Sequence, residues 1–200
     1  IYPRDFEEVN VTTTGENLPP IFWLYLAAVA LVAAGYADFP LIAYHLQKES
    51  IATGQTVPLL YALAMGVDAI AALIFGRLFD RIGITTLMLA MLISCGFAPL
   101  VFLGHGNLPL LGMILWGIGM GAQESIMKAA IAGIVPIEKR ATAYGIFSTG
   151  YGLAWFAGSA LMGILCDRSL SLLAIFSVST QLLAIPILLF VKQREQHPQT

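Results

Sequence analysis

Six long apolar runs, separated by short polar turns, limit the folds open to this chain more than any other feature of its sequence. A membrane-spanning helix needs about 20 consecutive, mostly apolar residues. The runs that meet this length are residues 21–46, 57–79, 84–103, 108–135, 141–166 and 170–191. Only 11% of the residues are charged, too few to cover so much apolar surface on a soluble protein. The sequence therefore predicts an all-α integral membrane protein with six transmembrane helices.

The ends of the chain differ in composition from its middle. Residues 1–20 are acidic, end in a proline pair and lack the basic start and apolar core of a signal peptide, so they are interpreted as a polar linker. Residues 21–192 form the predicted bundle, and residues 193–200 a polar tail. Because the first residue is Ile1 and no methionine precedes Met65, we expect the chain to be a fragment or a processed protein.

The turn between the second and third runs reads Gly-Arg-Leu-Phe-Asp-Arg-Ile-Gly at residues 76–83. Glycines at both ends and charged residues between them predict a tight hairpin at a membrane surface. The pattern resembles the G-x-x-x-D-R-x-G signature of the major facilitator superfamily, whose members use it as a cytoplasmic latch between helices that part during transport. The resemblance implies a latch at Gly76, Arg77, Asp80, Arg81 and Gly83.

A second stretch, residues 135–145, resembles the segment before the family's eleventh helix, with its proline, basic residue and glycine. On this resemblance the helices correspond to the seventh to twelfth of the family, and residues 1–20 end its central cytoplasmic loop. The amino-terminal six-helix half is then missing. A weak repeat relates residues 61–64 to residues 151–154, in the middle helices of the two three-helix groups. The expected fold is thus a family half built from two inverted three-helix repeats.

The distribution of lysine and arginine predicts the orientation of the helices. Short turns force the runs to alternate across the membrane, and the turns of one side carry most of the basic residues. The basic side holds Arg77, Arg81, Lys139, Arg140, Lys192, Arg194 and the more distant Arg4. The other side holds only Lys48 and Arg168. This predicts a multi-pass protein of the cell membrane with both termini in the cytoplasm.

Charged residues deep inside the runs are the main candidates for a functional site, because each is costly to insert into a bilayer. They are Asp38, Asp68, Glu124 and Lys128. Glu124 and Lys128 lie four residues apart on one helical face, as either a mutually neutralising pair or a site whose pairing changes in transport. Asp38 and Asp68 lack a local partner and are either proton carriers or hydrogen-bonded structural acids.

Asp38 ranks first among the candidate coupling acids, because Pro40 should kink its helix and open the segment to water. Glu124 ranks second and Asp68 third. Gln123 and Tyr36 complete the predicted cavity-lining set. No metal site or cofactor is predicted, since both cysteines lie inside apolar runs without His or Cys at ligand spacing.

The resemblance implies a secondary active transporter that moves a small solute by alternating access, with protons as the expected coupling ion. The net charge of −2 argues against nucleic-acid binding, and the expected partners are the solute, protons, the bilayer and the missing half. A membrane scaffold or receptor derived from a transporter is an alternative. An intramembrane enzyme is a weaker one, because residues 147–150 lack the first glycine of a rhomboid-type G-x-S-G motif and no G-x-G-D, phosphate-loop or zinc motif occurs.

Overall fold

A computed structural model describes residues 18–196 of the chain. Its α-helices are α1 (Pro20–Gly35), α2 (Phe39–Lys48), α3 (Thr56–Ile82), α4 (Thr85–Ser94), α5 (Phe97–Phe102), α6 (Leu108–Ile134), α7 (Arg140–Arg168) and α8 (Leu170–Gln196). The described part contains no strand, and six segments of it are long and apolar enough to cross a membrane. The predicted all-α membrane fold is confirmed. Most of the predicted linker and the end of the predicted tail lie outside the described residues.

The first and third spans are each built from two helices. A proline lacks the amide hydrogen that would bond the carbonyl four residues earlier, and its ring collides with that carbonyl. Pro40 acts in this way on Tyr36, and α1 and α2 are separated by residues 36–38. Pro99 acts on Cys95, where α4 gives way to α5. The kink expected at Pro40 is thus a complete break in the helix.

The stretch at residues 76–83 is not the hairpin that the sequence predicts. Helix α3 continues through it to Ile82, and the chain turns only at Gly83, which has a φ of 60°. Arginine, leucine and phenylalanine are tolerated in a helix, and Gly76 alone does not interrupt one. Glycine adopts a positive φ of this kind without steric cost, so Gly83 can turn the chain and end the helix.

The packing of the spans has an internal symmetry. The first span packs through α1 against α7 and α8, the fifth and sixth spans. The fourth span, α6, packs against α3 and against α4 and α5, the second and third spans. Exchanging the first three spans with the last three leaves this contact pattern unchanged. The arrangement is that of two inverted three-helix repeats, as the sequence predicts.

Glycines allow these helices to approach closely. A Cβ atom on Gly117 would overlap the backbone of Ala64 in α3, and one on Gly121 would overlap the same helix at Asp68. The spacing of the two glycines is the G-x-x-x-G pattern that brings membrane helices into contact. Gly158 has the same role between α7 and Ala34 of α1. Close contact of α3 with α6 places the middle of α3 directly behind the stripe of α6 that bears Gln123 and Glu124.

Arg140 closes the end of α6. Its Nη2 donates to the carbonyl of Ala132 at 2.6 Å and its Nε to that of Val135 at 3.2 Å. The last carbonyls of a helix have no partner within the helix, and a basic side chain that binds them stabilises the terminus. Arg140, one of the two basic residues of the 135–145 segment, thus ties the turn between α6 and α7 to the helix before it.

Candidate functional site

A cavity of about 460 Å³ lies between α6 and α7. Its wall consists of Gln123, Glu124, Met127 and Lys128 from α6 and of Phe147, Ser148, Tyr151 and Trp155 from α7. Glu124 lies about 15 Å from the end of α6, close to the middle of a hydrocarbon core about 30 Å thick. The cavity therefore opens near the centre of the span and brings together three of the residues predicted from the sequence.

The α6 wall carries two charges that are not paired with each other. Gln123, Glu124, Met127 and Lys128 fall on one stripe, because residues three and four apart share a helical face. Gln123 is buried, whereas Glu124 and Lys128 are exposed to the cavity. In the part of the chain that the structure describes, neither charge forms a salt bridge. The mutually neutralising pair considered from the sequence is therefore not formed.

The α7 wall is aromatic. Phe147 and Tyr151 stack with ring centroids 5.9 Å apart, and Tyr151 meets Trp155 edge to face at 5.4 Å. The rings follow one another every four residues, so they line a single face of α7. The hydroxyl of Tyr151 donates to Gln123 Oε1 at 3.3 Å and joins the two walls. The sequence analysis missed Met127, Phe147 and Ser148 as lining residues, although the four-residue spacing of Phe147, Tyr151 and Trp155 was a visible signal.

Asp68 lies behind the α6 wall. It sits about 21 Å from the end of α3, near the middle of the second span. Its Oδ1 is buried and accepts no hydrogen bond from the described residues. Helix α6 meets the backbone of Asp68 at Gly121, one helical turn before Glu124. The structure thus places two acids from different helices together at mid-span, with one oxygen left without a donor.

Asp38 and Tyr36 lie at the break between α1 and α2, outside the cavity. Asp38 is half-buried at the start of α2. Tyr36 is buried, and its hydroxyl donates to the carbonyl of Trp116. The indole Nε1 of Trp116 donates in return to the carbonyl of Ala37 at 2.8 Å, and the hydroxyl of Ser177 donates to that of Gly35 at 2.6 Å. Side chains of α6 and α8 thus satisfy carbonyls that the break frees.

The residues of the predicted latch lie at one end of the bundle. Arg77, Asp80 and Arg81 are exposed, and Arg77 Nη1 donates to the carbonyl of Leu73 at 3.3 Å. Within the described residues none of the three forms a salt bridge. Gly76 and Gly83 have open space where a side chain would lie. The latch role therefore stays a prediction that the geometry leaves open.

The opposite end of the bundle carries an ion pair that the sequence analysis did not identify. Lys48 Nζ lies 2.8 Å from Asp167 Oδ1, and the hydroxyl of Tyr44 donates to the same oxygen at 3.3 Å. The pair joins α2 to α7. The sequence analysis placed the turns after Lys48 and Asp167 on the same side of the membrane, and this was the signal from which the ion pair could have been predicted.

A family model described as Major Facilitator Superfamily matches residues 21–200. Over 196 residues the chain is 33% identical to an uncharacterized protein of Mycobacterium tuberculosis, which covers 95% of this chain and 48% of that protein. An uncharacterized protein of Mycobacterium bovis matches to the same extent. The class H tetracycline resistance protein of Pasteurella multocida is 30% identical over 152 residues, 74% of this chain and 37% of that protein. The chain spans about half the length, or less, of these relatives.

Proposed function

Since this chain belongs to the major facilitator superfamily, we propose that it is the carboxy-terminal half of a secondary active transporter that moves a small solute by alternating access. Protons are the proposed coupling ion. The tetracycline-resistance relative supports transport as the activity. Nothing in this proposal assigns that relative's substrate to this chain.

The half-transporter status is supported by the cavity and by the lengths of the relatives. Glu124 and Lys128 face an open wall at membrane depth, where unpaired polar groups need cover from protein or water. An amino-terminal six-helix half would supply that cover, and the mycobacterial relatives have the length for it. The basic residues at one end of the bundle support cytoplasmic termini in the cell membrane. On this proposal the 200-residue chain alone transports nothing.

The placement of Asp68 beside Glu124 carries the coupling proposal. Two carboxylates on neighbouring faces of packed helices can share one proton between them. The buried Oδ1 of Asp68 has no donor among the described residues, which leaves an acceptor site for that proton. Asp38, ranked first from the sequence, lies apart from the cavity at the start of α2. The geometry therefore favours the Asp68–Glu124 pair over Asp38.

The test uses the full-length protein in proteoliposomes with the solute that an uptake screen identifies. Asp68→Asn should abolish accumulation driven by a pH gradient while exchange between equal compartments persists. Asp38→Asn is the matched control and should keep both activities. If Asp38→Asn loses accumulation and Asp68→Asn keeps it, the coupling role belongs to Asp38. If both keep it, the coupling role passes to Glu124 alone or to another ion.

A scaffold or receptor derived from a transporter remains the second candidate. This alternative is supported if the full-length protein is folded but moves no solute across the membrane under any gradient. An intramembrane enzyme has less support, because family membership points to transport rather than catalysis.

A further inference from the structure

We infer that the cavity between α6 and α7 binds an aromatic zwitterion, a flat ring that carries both an ammonium and a carboxylate group. The inference rests on the proposed function, because it names the class of solute for the same cavity. It is carried by the two unpaired charges of one wall and the aromatic face of the other.

The charges of the α6 wall are free to pair with solute groups of both signs. Glu124 and Lys128 are exposed to the cavity, and neither makes a salt bridge within the described residues. Charged groups inside a membrane-spanning segment usually pair, since they are costly to leave alone there. Their Cβ atoms lie about 5–6 Å apart, one helical turn. A single small solute with an ammonium near Glu124 and a carboxylate near Lys128 can therefore neutralise both.

The aromatic wall selects the body of the solute and its cationic end. Tyr151 and Trp155 meet edge to face and stand across from Glu124. An organic ammonium is attracted to the face of such rings as well as to the carboxylate. The same faces can stack on a flat ring of the solute. The volume of about 460 Å³ falls within the range of cavities that hold drug-sized ligands, so a one- or two-ring solute fits.

The walls are also aligned so that the two ends of the cavity differ. Helices α6 and α7 are sequential, and the Tyr151–Gln123 hydrogen bond sets their register. At one end of the cavity, Tyr151 and Trp155 therefore face the part of α6 that carries Glu124. At the other end, one helical turn away, Phe147 and Ser148 face Lys128. The cation site is thus aromatic, and the anion site is flanked by a hydroxyl that can donate to a carboxylate. This asymmetry gives a zwitterion one preferred orientation.

The test measures equilibrium binding to the full-length protein in detergent. The probes are two aromatic zwitterions, L-tryptophan and para-aminomethylbenzoate. Tryptamine, which carries only the ammonium group, and indolepropionate, which carries only the carboxylate group, serve as analogues. At least one zwitterion should bind more tightly than both analogues, by about tenfold or more, because it makes one extra charge-assisted contact. Glu124→Gln should weaken the zwitterions and tryptamine by about tenfold or more and spare indolepropionate. Lys128→Gln should weaken the zwitterions and indolepropionate and spare tryptamine.

The spared analogue shows that each variant is folded. Glu138→Gln and Lys192→Gln remove the same charges outside the cavity and should change no affinity. Binding of neither zwitterion, or variants that affect all probes equally or none, would overturn the inference. If no zwitterion binds while another solute accumulates under a pH gradient, the inference fails and the proposed function stands. If a zwitterion binds with the expected selectivity but no solute is moved, the proposed function fails instead.

Discussion

Replacing Ser177 with alanine should destabilise the protein, because it removes the donor that satisfies a carbonyl at the break in the first span. The hydroxyl of Ser177 is fully buried and donates to the carbonyl of Gly35 at 2.6 Å. Helix α1 ends at Gly35, so the helical donor for that carbonyl is lost. Ser177 Oγ also accepts from Gln181 Nε2 at 3.2 Å. Alanine fills nearly the same space, and the change therefore isolates the hydrogen bonds.

The size of the effect follows from the environment of the carbonyl. A buried acceptor left without a donor costs about 1–3 kcal/mol in soluble proteins. Hydrogen bonds between membrane helices measure lower, about 0.6 kcal/mol on average and about 1.7 kcal/mol at most. A Cβ atom on Gly35 would overlap the side chain of Thr180, and Ser177 is fully buried, so α1 and α8 are in close contact here and the upper part of the membrane range applies. We expect a loss of about 1–2 kcal/mol, roughly a tenfold change in the unfolding equilibrium.

The measurement is reversible unfolding of the full-length protein in mixed micelles, followed by circular dichroism. Ser179→Ala is the control, because Ser179 lies on the same helix but is exposed. Both variants lose one hydroxyl from α8 and change helix propensity alike, so their difference reports the two buried hydrogen bonds of Ser177. Equal unfolding free energies for Ser177→Ala and Ser179→Ala would refute the role assigned to the break.

Three further predictions address packing, orientation and the latch. Gly158→Ala should lower stability while Gly163→Ala does not, because a Cβ on Gly158 overlaps the backbone of α1 and one on Gly163 meets open space; equal thermal unfolding would contradict this. In intact cells an impermeant thiol reagent should label Lys48→Cys and spare Arg140→Cys, and the reverse pattern would invert the proposed orientation. Asp80→Asn should insert normally but slow transport by shifting the balance of inward and outward states; unchanged turnover would leave Asp80 an ordinary surface residue.

The number and type of the spans were predictable because each depends on local sequence. A run of about 20 apolar residues that has no polar face is stable mainly as a membrane-spanning helix. The close approach at Gly117 and Gly121 was also predictable, since their spacing puts both on one face. The extent of α3 was not predicted correctly at residues 76–83. Charged residues and one glycine were taken as a turn, although only Gly83 has the backbone conformation that ends the helix.

The site could be predicted only as far as one helix extends. Gln123, Glu124 and Lys128 share a stripe of α6, so sequence spacing alone brought them together. The acid that lies behind the α6 wall, Asp68, comes from α3 and is far from Glu124 in the sequence, although α6 meets its backbone at Gly121. The sequence analysis ranked Asp68 below Asp38 as a coupling acid because of the proline near Asp38, which is a local signal. Which acids meet depends on which helices pack, and that is set by contacts spread over whole spans.

The cavity also depends on a helix that lines none of it. The hydroxyl of Tyr25 in α1 donates to the carbonyl of Met127 in the α6 wall at 2.8 Å. The ring of Tyr25 stacks on Phe147 of the α7 wall, with centroids 6.2 Å apart. Contacts between α6 and α7 themselves are sparse, whereas α1 packs closely on α7 at Gly158. The separation of the two walls is therefore set mainly through α1. Helix α1 ends at the break beside Asp38. A change in the angle between α1 and α2 can therefore alter the separation of the cavity walls, although no residue of the break lines the cavity.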